Sequence, residues 1–162
     1  MLDTRKAGQP LDILLVENNP GGVHLAVHAL KESAAPSNLV IIRDGEEAEE
    51  FLHRGGPYAG APSPDLVIVN LDLPGGSGLM VLDAIRQDPD LRGTPVVALS
   101  TTQQGPQLLQ PYTAPSNRHA GKPIDVERFA KIVESIVLWF ALAQPDLEGY
   151  WGGLSTWNGR VN

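Results

Sequence analysis

Four short runs of consecutive aliphatic residues decide what this chain can become: Ile13-Leu14-Leu15-Val16, Leu39-Val40-Ile41-Ile42, Leu66-Val67-Ile68-Val69 and Val96-Val97-Ala98-Leu99. A continuous apolar run bounded by polar residues and turn formers suits a strand buried on both faces, the condition of a parallel sheet. The residues between the runs follow a different period. Val23, Ala26, Val27 and Leu30 fall at i, i+3, i+4 and i+7, the stripe of a helix with one face on a sheet. Gly45 to Arg54 reads as a short acidic helix stopped by Gly55-Gly56-Pro57, and Leu79, Leu82, Ala84 and Ile85 support a third helix up to Asp88-Pro89. Strands alternating with helices imply right-handed crossovers and a parallel sheet covered on both sides.

The pattern weakens over 103–121. Gly105-Pro106, Pro111 and Pro115 leave room for little helix, because an interior proline costs about 3 kcal/mol, and Arg118-His119-Ala120-Gly121 is barely apolar for a fifth strand. It recovers in a last helix, where Phe129, Ile132, Val133, Ile136, Val137 and Phe140 repeat at helical spacing. The 162 residues, 42% hydrophobic, fit one domain with a real core. Residues 1–11 read as a disordered lead, 12–143 as the domain, and 144–162 as a C-terminal tail. A net charge of −7 would be repelled by a nucleic-acid backbone or an anionic membrane surface, so neither is expected as a partner. With no cysteine, disulfides and thiolate chemistry are excluded. The start, MLDTRKAGQPLD, lacks an apolar stretch of signal-peptide length, and the run Ile136 to Ala143 is too short to cross a membrane; a cytoplasmic location is expected.

Open parallel α/β sheets bind ligands beyond the carboxyl ends of their strands. Those ends carry Glu17-Asn18, Asn70, Ser100 and, after the fifth position, Lys122 before Pro123. An acid, amides, a hydroxyl and an ammonium thus meet. In order and spacing, the segments ILLVENNP, PDLVIVNLDLP, TPVVALSTT and GKPID resemble the receiver domain of two-component response regulators over roughly residues 11–143. More narrowly, the stretches GPYAGAPSPDLVIVNLDLP and DAIRQDPDLRGTPVVALSTT resemble the small stand-alone regulators that partner bacterial and cyanobacterial phytochrome kinases. The resemblance implies a flavodoxin-like (βα)5 three-layer sandwich with sheet order 2-1-3-4-5. It also implies a site in which two acids after the first strand and an aspartate ending the third hold Mg²⁺. That aspartate takes a phosphoryl group from a kinase histidine, while a hydroxyl and a lysine bind its oxygens.

Carried over by position, Glu17 matches the first acid, Ser100 the hydroxyl and Lys122 the lysine. Asn18 stands in place of the second acid and Asn70 in place of the phosphoaccepting aspartate. A carboxamide cannot form an acyl phosphate, so phosphotransfer should be lost. With Glu17, Asn70 and Asp72 as the candidate metal positions, Mg²⁺ should bind weakly if at all, and Glu17 is expected to pair with Lys122. Asp72 reads first as an exposed loop acid and second as a substitute phosphoacceptor. His119, three residues before Lys122, takes the switch position, where the family has a large aromatic; with the broken segment before it, a constitutive state is expected. His24 and His28 are spaced to share a metal but lack an evident third ligand, Gly75-Gly76-Ser77-Gly78 reads as a tight turn, and the glutamates Glu46, Glu47, Glu49 and Glu50 as a solvated face.

The C-terminal end is apolar all round from Ile136 to Ala143, and all three tryptophans lie within 139–157. Ile136, Trp139, Phe140, Tyr150, Trp151 and Trp157 are therefore expected to extend the last helix into an aromatic arm that embraces a second copy, the alternative being a tail folded back on its own domain. The regulators it resembles commonly dimerise through this end. The reading is a non-enzymatic pseudo-receiver of a phytochrome-like sensor histidine kinase, working by docking and homodimerisation. The alternatives are an active phosphorelay receiver using Asp72 and a small-molecule module in the strand-end pocket.

Overall fold

The computed structural model describes residues 10–33, 36–101, 117–122 and 124–143, with side chains to 138. The sheet is built from β1 (Leu11–Val16), β2 (Ser37–Ile42), β3 (Leu66–Asn70), β4 (Val96–Ser100) and β5 (Arg118–Gly121). Its order is β2-β1-β3-β4-β5, all neighbours parallel. The helices are α1 (Pro20–Glu32), α2 (Gly45–Leu52), α3 (Ser77–Gln87) and α4 (Val126–Ala143). This is the flavodoxin-like order, and it follows from four aliphatic runs that must all be covered on two faces. Every residue of β3 and β4 is buried.

The alternation of side chains across each strand sorts the core into two layers. Ile13, Leu15, Leu66, Ile68, Val97 and Leu99 meet α1 and α4 through Ala26, Ala29, Leu30, Phe129, Val133 and Ile136. Leu14, Val16, Val67, Val69 and Ala98 meet α2 and α3 on the other side through Ala48, Phe51, Val81, Leu82 and Ile85.

Four sequence expectations shift. The strand begins at Leu11, inside the stretch read as a lead, because Leu11 is buried and its N–H donates to the Pro36 carbonyl at 2.8 Å. The acidic helix ends at Leu52 rather than Arg54, since Arg54 takes a left-handed conformation, φ 57°. Arg118–Gly121 does form a strand; it is barely apolar because among the described residues it lies at the sheet edge, with only Ala120 buried. Ile136, expected between two copies, is turned into the core of its own domain at 2% exposure. The proline-broken segment 103–116, the side chains of Trp139 and Phe140, and Tyr150, Trp151 and Trp157 lie outside the described residues. So do the lead 1–9 and the tail 144–162.

Candidate functional site

Register brings the functional side chains to one edge of the sheet. Val16 pairs with Val69, Asn70 with Leu99, and Ser100 with Gly121, so the carboxyl ends of four strands finish level. The ladder runs one residue further: Glu17 N–H donates to Ile42 O at 3.0 Å, Leu71 N–H to Leu99 O at 2.8 Å, and Lys122 N–H to Ser100 O at 2.9 Å. Each side chain therefore leaves a fixed backbone. Turn chemistry fixes the rest. Asn19 caps α1 by accepting from Gly21 N–H at 2.7 Å, with Pro20 at the first helical position. A Cβ at Gly22 would lie 2.6 Å from Glu17 Cδ, so any larger residue there would displace the Glu17 carboxylate from its place. Gly75 and Gly76 turn the chain with φ near 70°, which makes the glycine run the tight turn its composition suggested.

Asn70 is the hub. It is 4% exposed and lies beside Glu17, which is 2% exposed. Its Nδ2 donates to Glu17 Oε2 at 2.8 Å, and its Oδ1 accepts from Lys122 Nζ at 3.0 Å and from the Asp72 N–H at 2.8 Å. The amide faces its hydrogens to the anion and its oxygen to the cation, the one orientation that satisfies both. Glu17 Oε2 also accepts from Asn19 N–H at 3.1 Å. The expected Glu17–Lys122 pair is thus corrected: Asn70 stands between them, and Lys122 pairs with Asp72, Nζ to Oδ2 3.3 Å.

Asp72 is the exposed loop acid expected, and it is also hydrogen-bonded. Its Oδ2 accepts from Thr101 N–H at 2.9 Å and its Oδ1 from Ser100 Oγ at a longer 3.4 Å. Partial burial pushes its pKa up, but hydrogen bonds from Thr101 and Lys122 and the Lys122 charge together outweigh that and hold it below the usual 3.8. The Thr101 amide could not be found from the sequence, because a backbone N–H has no side-chain signature. Asn19 was missed too, although its place before a proline is a helix-start signal. Asn18, where the resemblance implies a second acid, is exposed.

This donor set does not fit Mg²⁺. The ion needs several hard, mostly anionic oxygens. Here Glu17 is tied to an N–H of Asn70, the Asn70 oxygen is taken by an ammonium, and the Asp72 carboxylate is turned to Lys122. Elsewhere, His24 and His28 lie side by side on the exposed side of α1 with ring centroids 4.4 Å apart and planes inclined by 59°, and no third ligand joins them among the described residues.

His119 sits on β5 opposite Ala98 with its Nε2 buried and, among the described residues, without a hydrogen-bond partner. Burial, then the charge of Arg128, lowers its pKa from 6.5. The unfolded chain therefore takes the proton first. The stability contribution is intact above about 6.5 and is lost as pH falls through that value toward the folded-state pKa. His119→Phe is expected to flatten the slope of urea-unfolding stability between about pH 7 and 5; an unchanged slope would mean that the ring is not desolvated.

A doubly wound sheet whose strand ends gather an acid, a hydroxyl and a lysine defines a receiver-type signalling domain. The response regulator receiver domain matches residues 13–134, and the chain belongs to that family. Among relatives, it is 34% identical to the response regulator Rcp1 of Synechocystis over 131 residues, covering 81% of this chain and 89% of that one. Its structure is similar to the phosphorylated cyanobacterial phytochrome response regulator RcpA, with TM-score 0.68, 34% identity, and coverage of 82% and 95%. It is likewise similar to the bacteriophytochrome response regulator RtBRR, with TM-score 0.69, 28% identity, and coverage of 79% and 78%. Among the described residues no helix is long and apolar enough to cross a membrane.

Proposed function

We propose that this chain is the response regulator of a phytochrome-like sensor histidine kinase and that it signals by docking rather than by covalent phosphorylation. The names of the relatives support the kinase class. One observation carries the rest: Asn70, at the position the resemblance implies for the phosphoacceptor, is a buried carboxamide whose nitrogen and oxygen are both engaged. An amide oxygen offers no anionic nucleophile, and its attack on phosphorus would give no stable anhydride. Asp72, the acid that could stand in as acceptor, is already held by three donors. The chain is a signalling module rather than an enzyme. Incubation with labelled acetyl phosphate, or with the phosphorylated kinase, is expected to leave no alkali- and hydroxylamine-labile label on the chain, while the kinase is retained in a pull-down. Label on residue 70 or on Asp72 would overturn the reading.

Pairing with a second copy through α4 is part of this proposal. Leu138 is 60% exposed on that helix, just before the aromatic stretch of the sequence. Light scattering is expected to give a dimer for the wild type and a monomer for Leu138→Asp, a change that leaves the core untouched. A monomer in both would remove pairing from the proposal.

A further inference from the structure

Three donors from two strand ends converge on one carboxylate. The Ser100 hydroxyl reaches Asp72 Oδ1 at 3.4 Å, the Thr101 N–H reaches Oδ2 at 2.9 Å, and Lys122 Nζ lies 3.3 Å from Oδ2. A hydroxyl, a backbone amide and an ammonium aimed at one point make a cradle for an oxyanion. The donors are fixed by the sheet: Ser100 ends the fully buried β4, Thr101 follows it, and the Lys122 backbone is bonded to Ser100 O. The guest is held differently. Asn70 Oδ1 accepts from the Asp72 N–H, an Asx turn that bends the chain back and aims the carboxylate over β4. Solvent reaches the cradle, since the side chains of Lys122 and Asp72 are 25% and 29% exposed.

We propose that Asp72 is a tethered counter-anion that fills an oxyanion site, holding Ser100, Thr101 and Lys122 in their anion-bound arrangement with no added group. A free oxyanion of the phosphate class then binds this cradle only when Asp72 is removed. Concentration explains why. A carboxylate two residues from its anchor is present at an effective concentration no dilute anion matches, so an external competitor is excluded while the tether stands. The lowered pKa of Asp72 is in keeping with a carboxylate that stays charged at neutral pH. The inference deepens the reading above: a receiver that cannot take a phosphoryl group carries its own anion where one would be bound, and the end of β4 is set permanently.

The test is a titration of wild type and Asp72→Ala with inorganic phosphate at fixed ionic strength and neutral pH, following the Thr101 amide resonance and the melting temperature. Asp72→Ala is expected to show a saturating shift, with Tm rising by about 3–6 °C at tenfold excess over the dissociation constant. Chloride should produce neither change, and the wild type should respond to neither anion. Adding Lys122→Ala is expected to weaken phosphate binding at least about tenfold. Should Asp72→Ala fail to fold, Asp72→Ser serves in its place. No saturable phosphate response in the variant, or the same response in the wild type, overturns the proposal. Covalent label on the wild type would instead end the docking reading, and the two failures are read in separate experiments.

Discussion

Asn70→Asp is expected to lower the melting temperature by about 5–15 °C at neutral pH without divalent cations, and to make the protein responsive to Mg²⁺ where the wild type is not. The cause is local. Nδ2 of Asn70 lies 2.8 Å from Glu17 Oε2, with both residues almost fully buried. The substitution removes that donor and sets two carboxylate oxygens against each other. Like charges about 4 Å apart at an effective dielectric of 20 repel by roughly 4 kcal/mol, and the attraction of Lys122 offsets part of this, leaving about 2–4 kcal/mol. The Asx turn to Asp72 survives, because it uses the oxygen that both residues share. The fold should therefore persist with its strand ends strained by charge. Millimolar Mg²⁺ then has two carboxylates to bridge and should restore several degrees, whereas the wild type should not move. Thermal melts of both proteins with and without Mg²⁺ decide it; a Mg²⁺ shift of several degrees in the wild type would refute the account of the site.

Phe129→Ala is expected to cost about 3–5 kcal/mol, with Tm lower by about 10–15 °C. Phe129 has no exposed surface and joins α4 to the layer formed by Ala26, Ala29, Leu66 and Val97. Truncation deletes the contacts of the ring and leaves a void, since α4 is also held by Val133 and Ile136 and cannot collapse onto the sheet. Phe129→Leu should cost roughly 1–2 kcal/mol, because most of the volume is kept. Urea unfolding with an unchanged m-value would show that stability alone has moved. A loss below about 1 kcal/mol for the alanine variant would mean that α4 is anchored elsewhere.

The elements were legible because their signals are local. An aliphatic run between turn formers cannot be satisfied except as a buried strand, and Val23 to Leu30 cannot be apolar on one side except as a helix against it. The strand-end residues were legible for the same reason: each directly follows its run, so finding the run finds Glu17, Asn70 and Ser100. Arg118–Gly121 was less so, because an edge strand has one neighbour and needs little apolar surface.

Partnership was not legible. The sequence alone determined that Asn70 and Lys122 each follow a strand end, and the resemblance to receivers implies a carboxylate where Asn70 stands, but it paired Lys122 with Glu17. Tertiary structure decided otherwise, by bringing together residues 28, 52 and 53 positions apart: Ser100 with Asp72, Lys122 with Asn70, and Glu17 with Asn70. No periodic signal spans such separations. They are set by strand order, by a register exact to one residue, and by an Asx turn that swings Asp72 toward β4, and only when those coexist does a cation choose between two acids. Lys122 goes to Asp72 because Asn70 lies across the way to Glu17 and screens it with an amide dipole turned to serve both charges.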